Sequence, residues 1–281
     1  MQVVNQTDCQ NEYDRLKQVV VTKPKYMQIN EVINETQKHY LELNIDIDKA
    51  VTQHQNFTKV MQDHGVEVFE IEAKPDLNEQ VFTRDIGFTI GDRVFVAQMA
   101  TDLRKGEITH LREFLTDKNA SHSEINVDSI EGGDVIIDGK TIWIGISDRT
   151  TNEAAQFLRE QLPDYEIETI HLAADILHLD CAFNLVGKEL GLVYPEGMDK
   201  ADYQKLASRY ELIEVDDEEQ FTLGTNVLSI AKGKVISLPE NKRTNEKLRE
   251  AGLEVIEVPF NEIIKSGGSF RCCTMPILRE K

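Results

Sequence analysis

The sequence predicts an α/β protein built as a propeller of strand–strand–helix–strand repeats. Three observations predict it. Apolar hairpins recur at Phe88–Val96, Asp134–Ile144, Phe183–Val193 and Asn226–Ile236, each with a Gly-polar turn between its two strands. The turn glycines Gly91, Gly139, Gly187 and Gly233 are spaced by 48, 48 and 46 residues, a period that signals propellers and other repeat arrays. Two hairpins also share an extension: Arg149-Thr-Thr-Asn-Glu and Arg243-Thr-Asn-Glu each begin ten residues after the turn glycine.

Each extension leads into a helical pattern, over 151–161 and 244–251, with Thr or Asn near its start as a cap. A further strand follows, Glu166–Ile170 in one unit and Leu253–Val258 in the other. The repeat is therefore two strands, a helix and a strand. Residues 31–64 read differently, as one long amphipathic helical stretch ended near Gly65 and followed by the strand Glu67–Ile71. No low-complexity linker divides the chain, so one domain over residues 1–281 is expected. Repeats set around an axis would bring the loops near residues 85, 131, 178 and 272 together at one end, and residues 22–31 would lie over that mouth as a lid.

Composition narrows the function classes. The formal charge is −19, with 40% hydrophobic and 29% charged residues. Such an acid excess repels phosphate backbones and anionic lipid, which argues against nucleic-acid and membrane roles. It is compatible with a cationic ligand. No stretch approaches the roughly 20 apolar residues that a bilayer span needs. The first residues carry neither a basic region nor an apolar core of a secretory signal. Four cysteines without an export signal read as reduced thiols in the cytoplasm. Neither Cys-x-x-Cys nor His-Glu-x-x-His occurs, and adjacent cysteines lack the spacing of a zinc site, so no metal and no cofactor are expected. Exposed strand edges of a small propeller are compatible with a homodimer.

The chemistry-bearing residues collect in turns. Gly267-Gly-Ser-Phe-Arg-Cys-Cys-Thr-Met-Pro276 sets a thiol beside Arg271, and a nearby cation favours thiolate. Phe82-Thr-Arg-Asp85, Glu131-Gly-Gly-Asp134 and Leu177-His-Leu-Asp180 each place acids or a histidine just before an apolar strand. Taken singly, His178 reads as a hydrogen-bonded core residue, and the acids read as turn and capping groups. Together they offer a thiol, an imidazole and several carboxylates, the parts of nucleophilic catalysis. The surplus carboxylates suit a planar cation, and a guanidinium matches paired carboxylates best.

These motifs, in this order and with Gly145-Ile-Ser-Asp-Arg-Thr150 between them, resemble the guanidine-modifying enzyme superfamily. That superfamily contains arginine deiminases, dimethylarginine dimethylaminohydrolases and amidinotransferases, and the likeness runs from residue 81 onward. It implies a five-bladed α/β propeller, with the last unit closed by the C-terminal strand pairing near Leu16–Val21. It implies Cys272 as nucleophile, with Cys273 its neighbour, His178 as general acid and base, and Glu131 as partner of His178. Asp85 and Asp180 would clamp the guanidinium, and Arg149 and Arg104 would bind the α-carboxylate of a small guanidino amino acid. Length favours hydrolysis of dimethylarginine to citrulline, because deiminases usually carry an extra helical domain. Asp180 and the Phe-Thr-Arg-Asp motif favour free arginine instead. Amidino transfer and a non-catalytic binding propeller complete the alternatives.

Overall fold

The computed structural model describes Val4 and residues 6–281. The expected domain span includes residues 1–3 and 5, which lie outside the described residues. The chain opens with β1 (Arg15–Thr22), α1 (Glu35–Tyr40), α2 (Ile47–Asp63) and β2 (Glu67–Ile71). Next come β3 (Gly87–Ile90), β4 (Arg93–Val96), α3 (Lys105–Asp117) and β5 (His122–Glu124). The third unit is β6 (Val135–Asp138), β7 (Thr141–Ile146), α4 (Asn152–Gln161) and β8 (Glu166–His171). The fourth is β9 (Phe183–Gly187), β10 (Leu190–Val193), α5 (Lys200–Ala207) and β11 (Glu211–Glu214). After α6 (Asp217–Phe221), the fifth is β12 (Leu228–Ala231), β13 (Lys234–Ser237), α7 (Lys242–Glu250) and β14 (Glu254–Glu257), and β15 (Met275–Glu280) ends the chain.

Five three-stranded sheets form among the described residues, and all share one topology. In each, the central strand runs antiparallel to one neighbour and parallel to the strand that returns after a helix. Four sheets are built from consecutive chain. The fifth joins the two ends, β15 pairing with β1 and β1 with β2. α4 starts where the sequence marks it, the side chain of Thr151 accepting from Ala154 N, whereas α7 starts at Lys242, and Asn241 at its N-cap makes no side-chain bond.

The core explains why the sheets form a closed ring. Its hydrophobic clusters lie between neighbouring sheets. Phe88 and Phe95 pack with Ile137 and Ile144, Trp143 with Phe183 and Leu185, and Leu192 with Val235 and Leu248. The closing sheet contacts both of its neighbours in the same way. Leu16 and Val19 join Leu228 and Ile236, while Val20 and Met275 join Val94 and Leu111. Each cluster draws side chains from two neighbouring blades, so each blade depends on the next.

Two expectations change. The stretch 31–64 is two helices rather than one, because Asn44 takes a left-handed conformation (φ 53°) and Asp46 starts α2 afresh, its side chain accepting from Lys49 N. The apolar period continues across the break and hides it. In the hairpins, Gly91, Gly139 and Gly233 adopt positive φ, but Gly187 does not. It closes β9 opposite Leu190, and the loop is Lys188-Glu189. No helix among the described residues is long and apolar enough to cross a membrane.

Candidate active site

The turn before the first strand of each sheet points into the ring, and the five turns are tied in cyclic order. Gly132 N donates to Asp85 O at 3.0 Å and Leu179 N to Asp134 Oδ1 at 2.8 Å. Asn226 Nδ2 donates to Asp180 O at 3.2 Å, while Asn226 Oδ1 accepts from Cys272 N at 3.1 Å. Arg84 N then donates to Cys272 O at 3.0 Å and closes the circle. A small cavity above this ring is lined by Phe82, Asp85, Arg104, Arg149, His178 and Cys272, among others.

Glycines let the groups come together. A Cβ on Gly133 would sit 2.8 Å from His178 Cγ and 2.9 Å from Asp85 Oδ1. One on Gly268 would meet the Phe82 ring at 2.3 Å. Both positions accept no side chain, so the Gly-Gly pairs serve the site rather than the strand turns alone.

His178 is buried and held between two acids. Nε2 lies 2.8 Å from Glu131 Oε2, and Nδ1 lies 3.7 Å from Asp85 Oδ1. Burial alone would favour the neutral ring, but Asp85 and the Glu131 hydrogen bond outweigh it and raise the pKa to about 10. Glu131 is held below its ordinary range in turn: burial opposes its charge, and the His178 hydrogen bond prevails. Asp85 also takes Arg104 Nη1 at 2.6 Å, and Arg104 reaches Glu107 Oε2 at 2.8 Å. Asp85, Glu131 and His178 offer donor atoms within 4.8 Å of one another, a set that could accept a metal ion once the imidazolium lost its proton.

Residues 23–279 match the family described as "N,N dimethylarginine dimethylhydrolase, eukaryotic". The chain belongs to this family. With it the chain falls in the guanidine-modifying superfamily. It is 46% identical over 275 residues to the uncharacterized protein YkgA of Bacillus subtilis, covering 98% of this chain and 96% of that one. It is 28% identical over 329 residues to the arginine deiminase of Bacillus cytotoxicus, covering 98% of this chain and 77% of that one. In fold it is similar to the N-terminal domain of ArgZ, an arginine dihydrolase from cyanobacteria solved with substrate. That match has a TM-score of 0.86 at 22% identity and covers 93% and 98% of the two chains. The amidinotransferase SxtG of Microseira wollei matches with a TM-score of 0.85 at 18% identity over 98% of both.

For this member of the dimethylarginine dimethylhydrolase family, the structure brings all seven expected site residues to the ring, in two tiers. Cys272, His178, Asp85, Arg104 and Arg149 line the cavity. Glu131 lies behind His178, with Arg149 Nη1 at 3.8 Å from Glu131 Oε1. Asp180 lies beneath Cys272, its Oδ2 3.6 Å from Sγ and 2.7 Å from Arg271 Nη1. Arg271 therefore does not face the thiol as its place in the sequence suggests. Its guanidinium is spent on Asp180, on Glu12 at 3.1 Å and on Val135 O at 2.9 Å. The mouth is covered by Ile33 and Asn34 rather than by residues 22–31. Asn34 caps α1 by accepting from Gln37 N and donates to Ser266 O at 3.0 Å, and Ile33 O accepts from Arg149 Nη2 at 2.9 Å.

Sequence reading missed Glu79 and Asn226. Glu79 lines the cavity, accepts from Ser266 Oγ at 3.0 Å and Gln37 Nε2 at 2.9 Å, and is raised by burial to about 7 against the pull of Arg104. No local motif marks it. Asn226 had a signal: it precedes β12 as Asp85 precedes β3, so the repeat itself points to it.

Proposed function

We propose that this chain is a cysteine-dependent amidine hydrolase that cleaves a guanidino C–N bond of an arginine derivative, with dimethylarginine the leading substrate and citrulline the product. The observation that carries the reading is His178, 2.8 Å from Glu131 and 3.7 Å from Asp85, in the cavity that Cys272 also lines. In this reading Asp85 holds the guanidinium from the cavity wall and Asp180 holds it from beside Cys272 Sγ, and Cys272 as thiolate adds to its carbon. The C–N bond then breaks as His178 gives its proton to the departing amine, because a neutral amine is the tolerable leaving group. The covalent product is an S-alkylthiouronium. Neutral His178 next draws a proton from water, the hydroxyl oxygen adds to the same carbon, and the C–S bond breaks to restore the thiolate, the hydroxyl proton passing to solvent as the ureido acid is released. Arg149 takes the α-carboxylate. Arg104, already paired with Asp85 and Glu107, fixes Asp85 and adds positive charge at that end.

The family match supports the methylated substrate. Asp180 supports a second reading, free arginine, since two carboxylates suit a guanidinium with donors on both edges and a dimethylated nitrogen has none to give. The test is ureido-product formation from dimethylarginine and from arginine, with Cys272→Ser as control. Methylated turnover that disappears in the variant is the expected result. Turnover of arginine alone would install the second reading. No product from either would overturn the proposal and leave other guanidines, amidino transfer or simple binding, and full activity in Cys272→Ser would overturn the cysteine-dependent step.

A further inference from the structure

Cys181 has no part in the chemistry above, yet it is built against the nucleophile. Cys181 Sγ lies 3.6 Å from Asp180 Oδ1, and Cys272 Sγ lies 3.8 Å from the same oxygen. Both cysteines also belong to one buried cluster. Their backbones cannot drift apart, because the Asn226 carboxamide grips Cys272 N with its oxygen and Asp180 O with its nitrogen. Thr225 Oγ1 adds a bond to Cys181 O at 2.8 Å. Cys273, next in the chain, is fully buried in the apolar cluster.

The surroundings supply a route for a small reagent. Cys181 lines a second cavity, an outer groove of about 460 Å³ bordered by Leu177, Tyr194, Gln220, Phe221 and Gly267. Leu177 and Gly267 line the inner cavity as well, so the thiol pair sits in the wall that the two spaces share.

We propose that Cys181 is a resolving thiol for Cys272, so that a hydroperoxide converts the pair to an intramolecular disulfide that blocks the nucleophile reversibly. In the first step the Cys272 thiolate attacks one peroxide oxygen of hydrogen peroxide. The O–O bond breaks, hydroxide leaves, and Cys272 becomes the sulfenic acid. In the second, the Cys181 sulfur attacks the Cys272 sulfur, the S–O bond breaks, and the hydroxyl departs with the Cys181 proton as water. Two sulfurs are oxidised and one peroxide is reduced, giving one water and one hydroxide, which becomes the second water by taking up the proton that Cys272 gave on ionising. Asp180, within reach of both sulfurs, can carry the Cys181 proton to the leaving oxygen. Reduction by a dithiol reverses the bond, whereas an unresolved sulfenic acid goes on to the irreversible sulfinic acid. This pairing does not depend on which guanidine the enzyme takes.

The experiment treats the native protein with hydrogen peroxide, alkylates the remaining thiols, and maps tryptic peptides by mass. The expected product joins the Cys181 peptide to the Cys272 peptide with the loss of two hydrogens and with Cys273 alkylated. Dithiothreitol should restore all free thiols in the wild type. In Cys181→Ser, checked by circular dichroism for an intact fold, Cys272 should reach sulfinic acid and not return. In Cys273→Ser the Cys181–Cys272 link should still form. A Cys272–Cys273 link, or Cys181 left fully alkylatable while Cys272 is oxidised, would overturn the proposal whatever the substrate proves to be.

Discussion

His178 carries a charge where burial alone would forbid one, and the reason lies in two carboxylates. Its pKa is raised to about 10, above the ordinary value near 6.5. The imidazolium is therefore the resting form at neutral pH, ready to protonate a leaving amine. Its contribution to stability is complete below about pH 6.5 and fades as pH rises through about 10. Glu131→Gln keeps a hydrogen-bonding group but removes the charge, so His178 should lose its proton at lower pH. The alkaline limb of kcat/KM should then move down by about one unit or more. Titration of the imidazole by NMR provides the independent readout, and a limb that stays in place would remove Glu131 from this role.

At the scale of elements, the working unit is the turn that precedes each first strand. Helices and sheets place these turns, and glycine decides how closely they approach. Gly133→Ala tests that point. The new Cβ would push on both His178 and Asp85, at 2.8 and 2.9 Å. A displacement on the order of an ångström at a catalytic group costs about 100-fold in rate. We expect a loss of that size in kcat/KM with the circular dichroism spectrum unchanged, and full activity in the variant would show that the two side chains can relax. The same turns define what the repeat made legible. Asp85, Glu131, His178 and Cys272 were marked by motifs, whereas Asn226 is an ordinary residue that acquires meaning only through its place in the fifth unit.

The whole molecule is a ring closed by its own ends, and that closure is a cooperative link. β15 pairs with β1 and brings Met275 and Ile277 into the cluster shared with β4 and α3. Deleting residues 275–281 would leave β1 with an unpaired edge and open the apolar seam to the β3–β4 blade. The shortened chain should lose its cooperative thermal transition, and a sharp melt near that of the full chain would show that four blades suffice. The sequence by itself determined the repeated unit, its period, the strands near the turn glycines and the list of reactive residues, because hairpin alternation, caps and short motifs are local chemistry. It did not reveal the break at Asn44, since the apolar pattern runs across it, nor the cover formed by Ile33 and Asn34. Only the tertiary structure decided which charge faces which. Arg271 is adjacent to the nucleophile in sequence, yet its guanidinium goes to Asp180 and Glu12. Arg104 is far from Asp85 in the chain and pairs with it at 2.6 Å. The direction of the Arg271 guanidinium is set by neighbours from other blades, which are known only once the ring has closed, and that of Arg104 by the folding of its own unit.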